Sequence, residues 1–178
     1  RVAEGAAGRN SGFMIDLPDD LASDDYAGAG DDRALIDLNR KAIQFGADAV
    51  DECGIDPNYF DRAGKVNGAA SATAQAHNES YAEHLASLGE HSEMLDRQQM
   101  QDLTGSPHYA SGLYTPGTVM LQPAGYIRGF ADGLMAQGIA IHENAPVTGF
   151  VREGSAWRLT TPNGSISTGK VILTVNGH

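Results

Sequence analysis

Residues 5–12 read Gly-Ala-Ala-Gly-Arg-Asn-Ser-Gly, six small residues around an Arg-Asn pair. Glycine has no Cβ, so a backbone of this kind can approach a ligand closely. Its amides can face an anion, and Arg9 adds a fixed positive charge beside them. The alternative on the residues alone is a glycine-rich turn that holds nothing. Which of the two applies depends on what the other 170 or so positions of the 178-residue chain contain.

The net charge is −11 and only 12 residues are Lys or Arg. Nucleic-acid binding needs clustered cations that displace counterions, so this balance argues against it. It argues equally against an anionic membrane surface, and no apolar run approaches the roughly 20 residues of a membrane span. An acidic ligand would need a local pocket such as one around Arg9. The single cysteine, Cys53, excludes an internal disulfide framework and fits a reducing, cytoplasmic setting. It stands in a helical-looking stretch with no neighbouring His or cation, which reads as a packed thiol rather than a nucleophile. His77, His84 and His91 recur every seven residues, but zinc ligands on a helix stand three or four apart. They read as surface histidines.

Along the chain, residues 13–32 are rich in Asp, Gly and Pro, with Asp16, Asp19, Asp20, Asp24, Asp25, Asp31 and Asp32 giving a like-charged loop. Apolar spacing predicts a helix over 34–53 stopped at Gly54, and a strand within 59–71. A second helix is predicted from a Thr73 cap to Leu88, ended by Gly89, and a short one within 92–103. Strands near 110–114 and 118–122 are joined by Pro116-Gly117, and Pro123 opens a helix ended by Gly138. Residues 139–143 read as a strand. Residues 146–152, 156–161 and 165–168 read as an antiparallel meander. The apolar, β-branched run 170–174 suits a strand buried on both faces of a sheet.

Three stretches together resemble the D-amino-acid-oxidase-like family of FAD-dependent oxidoreductases, closest to its γ-glutamylputrescine and amine oxidase branch. They are the opening loop, similar to the family's "GASGRNGG"-type loop; GTVMLQPAGYIRGFADGLMAQGIAIHE at 117–143; and PVTGFVREGSAWRLTTPNGSISTGKVILTVNG at 146–177. The resemblance implies an α+β chain, part FAD-binding Rossmann-like domain and part helix-rich substrate domain with antiparallel strands. It divides the sequence into a flavin-domain segment with acidic loop (1–32), a substrate-domain part (33–122) and a further flavin-domain part (123–178). Gly8, Arg9, Asn10, Ser11 and Gly12 would approach the flavin and pyrophosphate. Val147 would meet the adenine through its backbone, although by its residue type alone it reads as a core valine. Thr174, Asn176 and Gly177 would form the turn passing the dinucleotide, or simply a strand end.

The family's GxGxxG unit and ribose-binding acid are not in this sequence, so the chain is expected to be an internal piece that binds FAD weakly or not at all. Ser11 and Phe13 stand where the family often has Gly and a polar residue. The implied chemistry is oxidation of the carbon beside an amine or amino-acid nitrogen, with hydride passing to FAD. No catalytic residue is assigned. His108, Tyr109 and Tyr114 are candidates for lining a substrate pocket, with sheet packing the simpler role. The unpaired strand 170–174 leads to an expected homodimer through an exposed sheet edge. Two other readings stay open: a non-catalytic binding module, and a short subunit whose flavin site a partner chain completes.

Overall fold

The computed structural model describes residues 1–18 and 32–175. The chain divides into two compact units, residues 2–138 and residues 139–178, the latter grouped with Arg1. Four helices accompany three small antiparallel sheets among the described residues, which makes the chain α+β.

In the larger unit, helix α1 spans Asp32–Cys53. It ends where Gly54 turns to φ 63° and the Ile55 amide bonds back to the Val50 carbonyl at 2.9 Å. Its inward face carries Ile36, Ile43, Gly46 and Ala49, the 3.6-residue spacing of one buried stripe. Helix α2, Ala72–Leu88, ends at Gly89 in the left-handed region. Its cap is Ser71, not Thr73: Ser71 is extended at φ −134° and its Oγ accepts from the Ala74 amide, so the helix starts two residues earlier.

Residues 92–103 do not form one helix. Residues Glu93–Leu95 form strand β4, and Asp96 then starts helix α3, Arg97–Thr104, with a capping box to Gln99. The Asp96 carboxylate accepts from the Gln99 amide while the Gln99 side chain accepts from the Asp96 amide, both at 2.8 Å. Helix α4, Pro123–Ala136, opens with the proline in its first turn, where the missing N–H costs nothing.

Two three-stranded sheets share the turn at Pro116-Gly117. Strands β3 (Lys65–Ala69) and β4 flank β5 (Ser111–Thr115), whereas β1 (Phe13–Met14) and β2 (Phe60–Asp61) flank β6 (Val119–Leu121). The turn thus passes the chain from the centre of one sheet to the centre of the other. Leu17, Ile36, Tyr81, Leu85 and Leu113 form the buried core beneath. Part of the expected acidic loop belongs to it: Asp16 and Leu17 are buried. The remainder of that loop, 19–31, lies outside the described residues.

The smaller unit is the meander: β7 (Gly149–Glu153), β8 (Ala156–Thr161) and β9 (Gly164–Thr168), paired in that order. Register aligns Phe150, Leu159 and Ile166 on one face. None of the described residues 139–175 is buried. Two expected strands are missing. Residues 139–143 are irregular, and 170–174 pair with no strand among the described residues. The second run has no ladder to satisfy its backbone and no layer on either side, so Ile172 is 87% exposed instead of buried.

Candidate functional site

The opening loop is organised by its own asparagine. A 3₁₀ turn at Ala6–Gly8 is closed by Gly8 and Arg9 amides bonding to Gly5 and Ala6 carbonyls, each at 3.1 Å. The Asn10 amide group donates to the Ala7 carbonyl at 2.8 Å and the Ala6 carbonyl at 3.2 Å. Its Oδ1 accepts from the Gly12 amide at 2.9 Å. One side chain therefore fixes both halves of the loop, a role the sequence did not assign to it.

The glycines answer close approaches within the protein. A Cβ on Gly8 would stand 2.1 Å from the Ala3 carbonyl oxygen, and one on Gly12 2.2 Å from the Leu121 oxygen. Gly12 is also at φ 79°. Three of the loop amides, those of Gly8, Arg9 and Gly12, are taken by bonds inside the loop. Arg9 and Ser11 are exposed, and among the described residues no carboxylate pairs with Arg9.

Beside this loop lies a cleft of about 550 Å³, between the loop, α1 and α4. Phe13 and Met14 form one wall, Ala42, Phe45, Gly46 and Ala49 of α1 a second, and Pro123, Tyr126, Ile127 and Phe130 of α4 a third. Asn10 reaches its rim, and none of the lining side chains is charged. The walls are tied by the Tyr126 hydroxyl, which donates to the Gly46 carbonyl at 2.7 Å. Burial, and secondarily Cys53, pushes the Tyr126 phenol above its ordinary value. A Cβ on Gly46 would meet Met14, Phe60 and Tyr126 at 3.4–3.5 Å, ordinary van der Waals contact, so these three side chains close over the helix here without excluding a larger residue.

Other candidates are placed elsewhere. Cys53 is part-buried with its Cβ against Gly133 of α4, a packed thiol. His84 is 3.0 Å from Asp32 and half-buried, not a free surface histidine, and His91 lies beyond the end of α2. The Tyr109 ring covers Gly68 and stacks edge-on against His108, so these two pack on the β3–β5 sheet and do not line the cleft. Tyr114 packs over Gly64 on the same sheet. Val147 is 52% exposed rather than a core valine, and Thr174 is exposed; both belong to the smaller unit. Asn176 and Gly177 lie outside the described residues.

Sequence reading missed Asp16 and Arg40. The Asp16 carboxylate is 1% exposed and 3.1 Å from the Arg40 guanidinium, which also bonds Glu90. The Glu90 contact first, then Asp16, hold the guanidinium above its ordinary value. Asp16 was hidden among six other aspartates of an apparently exposed run.

The fold is similar to part of two solved structures. Glycine oxidase from Bacillus cereus ATCC 14579 superposes with a TM-score of 0.74 at 17% identity, over 96% of this chain and 45% of that one. L-Amino acid deaminase from Proteus myxofaciens gives 0.68 at 13% identity, over 94% and 36%. At the level of sequence the DAO family, FAD dependent oxidoreductase, matches residues 1–178, and the chain belongs to that family. The probable oxidoreductase OrdL of Rhizobium meliloti (strain 1021) is 23% identical over 190 residues, covering all of this chain and 42% of the relative. The chain thus spans about two fifths of the length of the curated relatives it matches.

Proposed function

We propose that this chain is part of a flavoprotein that oxidises the C–N bond of an amine or amino acid, with its opening loop lying against FAD. The observation that carries the reading is the loop itself: a self-braced Gly8–Gly12 segment, with an exposed Arg9, at the rim of an apolar cleft with aromatic walls. A flat ring system with an anionic tail suits such a combination, because apolar walls accept the ring and a guanidinium pairs with phosphate. These features fit the group named in the family's description.

In this reading Gly8, Arg9, Asn10, Ser11 and Gly12 hold the flavin side, and Val147, Thr174, Asn176 and Gly177 the dinucleotide side. When bound, FAD supplies the two-electron acceptor for hydride leaving the carbon beside nitrogen. The chain's own part is to fix the loop, present Arg9 to an anion and keep water from the apolar walls. The γ-glutamylputrescine and amine oxidase branch is the one the loop resembles most. Relatives named glycine oxidase and L-amino acid deaminase support an amine or amino acid as the substrate class.

The activity is assigned to the whole protein that carries this chain. Anaerobic mixing of that protein with a panel of amines and amino acids tests it. Substrate-dependent bleaching of the visible flavin bands supports the reading; a colourless protein, or bands that no amine bleaches, overturns it.

A further inference from the structure

Four buried side-chain oxygens find no hydrogen-bond partner among the described residues: Asp16 Oδ1, Ser111 Oγ, Thr115 Oγ1 and Thr118 Oγ1. Buried polar atoms are nearly always bonded, so each of these calls for an explanation. Three of the four belong to one place. Strand pairing sets Phe13 against Met120 and Met14 against Val119, and the same register carried on brings Asp16 opposite Gly117. The contact is close: a Cβ on Gly117 would stand 1.9 Å from Asp16 Oδ2 and 2.6 Å from Oδ1. Thr118 is the next residue, and Thr115 closes β5 on the other side of Pro116. Asp16, Thr115 and Thr118 are each 1% exposed, covered by residues of this chain. Further chain can only cover them more.

The charges at this turn select the ligand. Arg40 Nε and its NH2 group both donate to Asp16 Oδ2, at 3.2 and 3.1 Å, and leave Oδ1 to another donor. The guanidinium already balances the carboxylate, which argues against a cation beside it, and the carboxylate repels an anion. Water suits the remaining atoms, because Oδ1 accepts while a threonine hydroxyl both donates and accepts. Two hydrogen bonds through one water span about 5.5 Å. Neighbouring Cα atoms such as those of Gly117 and Thr118 are about 3.8 Å apart, so a water on the carboxylate is within reach of the next hydroxyl. Three protein partners is the usual complement of a buried water. Ser111 stands apart at the far end of β5, about 13 Å along the strand from Thr115.

We infer that one ordered water is built into the Pro116–Gly117 turn, donating to Asp16 Oδ1 and held by the Thr115 and Thr118 hydroxyls. It ties β1, β5 and β6 together where the chain passes from one sheet to the other. The inference does not depend on the cofactor reading.

The test uses the whole protein that carries this chain. Its crystal structure at high resolution is expected to show a water within hydrogen-bond distance of Asp16 Oδ1 and of both threonine hydroxyls. Thr115→Val and Thr118→Val keep the side-chain shape and remove the hydroxyl. Each is expected to lower the melting temperature by about 2 °C or more, because the water loses a partner. The double variant is expected to lose less than the sum, since both changes act on the same water. A protein side chain, an ion or no density at Asp16 Oδ1 overturns the inference. So do folded valine variants that melt at or above the wild type, as removal of a truly unpartnered hydroxyl would give, or losses that add strictly.

Discussion

Gly12 and Leu121 are locked together through backbone alone: the Leu121 amide donates to the Gly12 carbonyl at 2.7 Å, and the Leu121 oxygen stands where a Gly12 Cβ would be. This joins the opening loop to β6 one residue before Gln122, the cap of α4. The loop therefore cannot shift without moving the wall of the cleft.

Gly12→Ala should cost about 2 kcal/mol or more, because an L-residue at φ 79° is strained and its Cβ meets backbone that cannot swing away. Gly5→Ala serves as the control, since nothing lies within 4 Å of the Cβ it adds. Urea unfolding of the two variants should separate them clearly; equal midpoints would count against a rigid loop.

Arg40→Ala should destabilise the larger unit by about 1–3 kcal/mol. It leaves the buried Asp16 carboxylate unpaired, though the half-exposed guanidinium makes the loss smaller than for a fully buried pair. Asp16→Asn in the same background should recover part of it, because a neutral amide tolerates burial better than a bare charge. A double-mutant cycle by thermal melting reads this; strictly additive losses would contradict the pairing.

Tyr126 gives the pH prediction. Its phenol is held above 10.0 in the folded chain by burial. As pH rises past the ordinary tyrosine value, the unfolded chain releases its proton first. The folded state then binds more protons than the unfolded, and stability falls with rising pH. Tyr126→Phe should remove that part of the alkaline decline. It should also cost about 1 kcal/mol near neutral pH from the lost bond to the Gly46 carbonyl. Melting curves from neutral to alkaline pH for both proteins would show the difference, and parallel curves would refute it.

Asp96→Ala should lower stability by about 1 kcal/mol through loss of the capping box at α3, read by urea unfolding. Thr73→Ala, by contrast, should be near neutral, because Ser71 caps α2. A larger loss at Thr73 than at Ser71 would reverse that assignment.

The contrast between Ser71 and Thr73 illustrates what the sequence could tell. Helices with one apolar stripe and a glycine stop, such as 34–53 closed by Gly54, were legible because local periodicity and backbone freedom decide them. The meander was legible for the same reason, from its alternation and turns. Strand 170–174 was misjudged because being a strand depends on neighbours, and composition alone carries no partner. Asp16 was missed because its partner Arg40 stands 24 positions away and the Gly117 backbone it packs against is more distant still in sequence. In the candidate site the loop was readable from its glycines, but the bracing by Asn10 and the Tyr126–Gly46 tie were not, since both are matters of geometry.

The most direct test of the central claim is FAD titration of the whole apoprotein carrying this chain, followed by flavin fluorescence, for wild type and Asn10→Ala. Among the described residues the hydrogen bonds of the Asn10 side chain all go to its own loop, and their loss frees the segment placed against the flavin. The account predicts FAD affinity reduced about tenfold or more in a variant that circular dichroism shows to be folded. Unchanged FAD affinity in that folded variant would contradict the placement of Gly8–Gly12 at the cofactor.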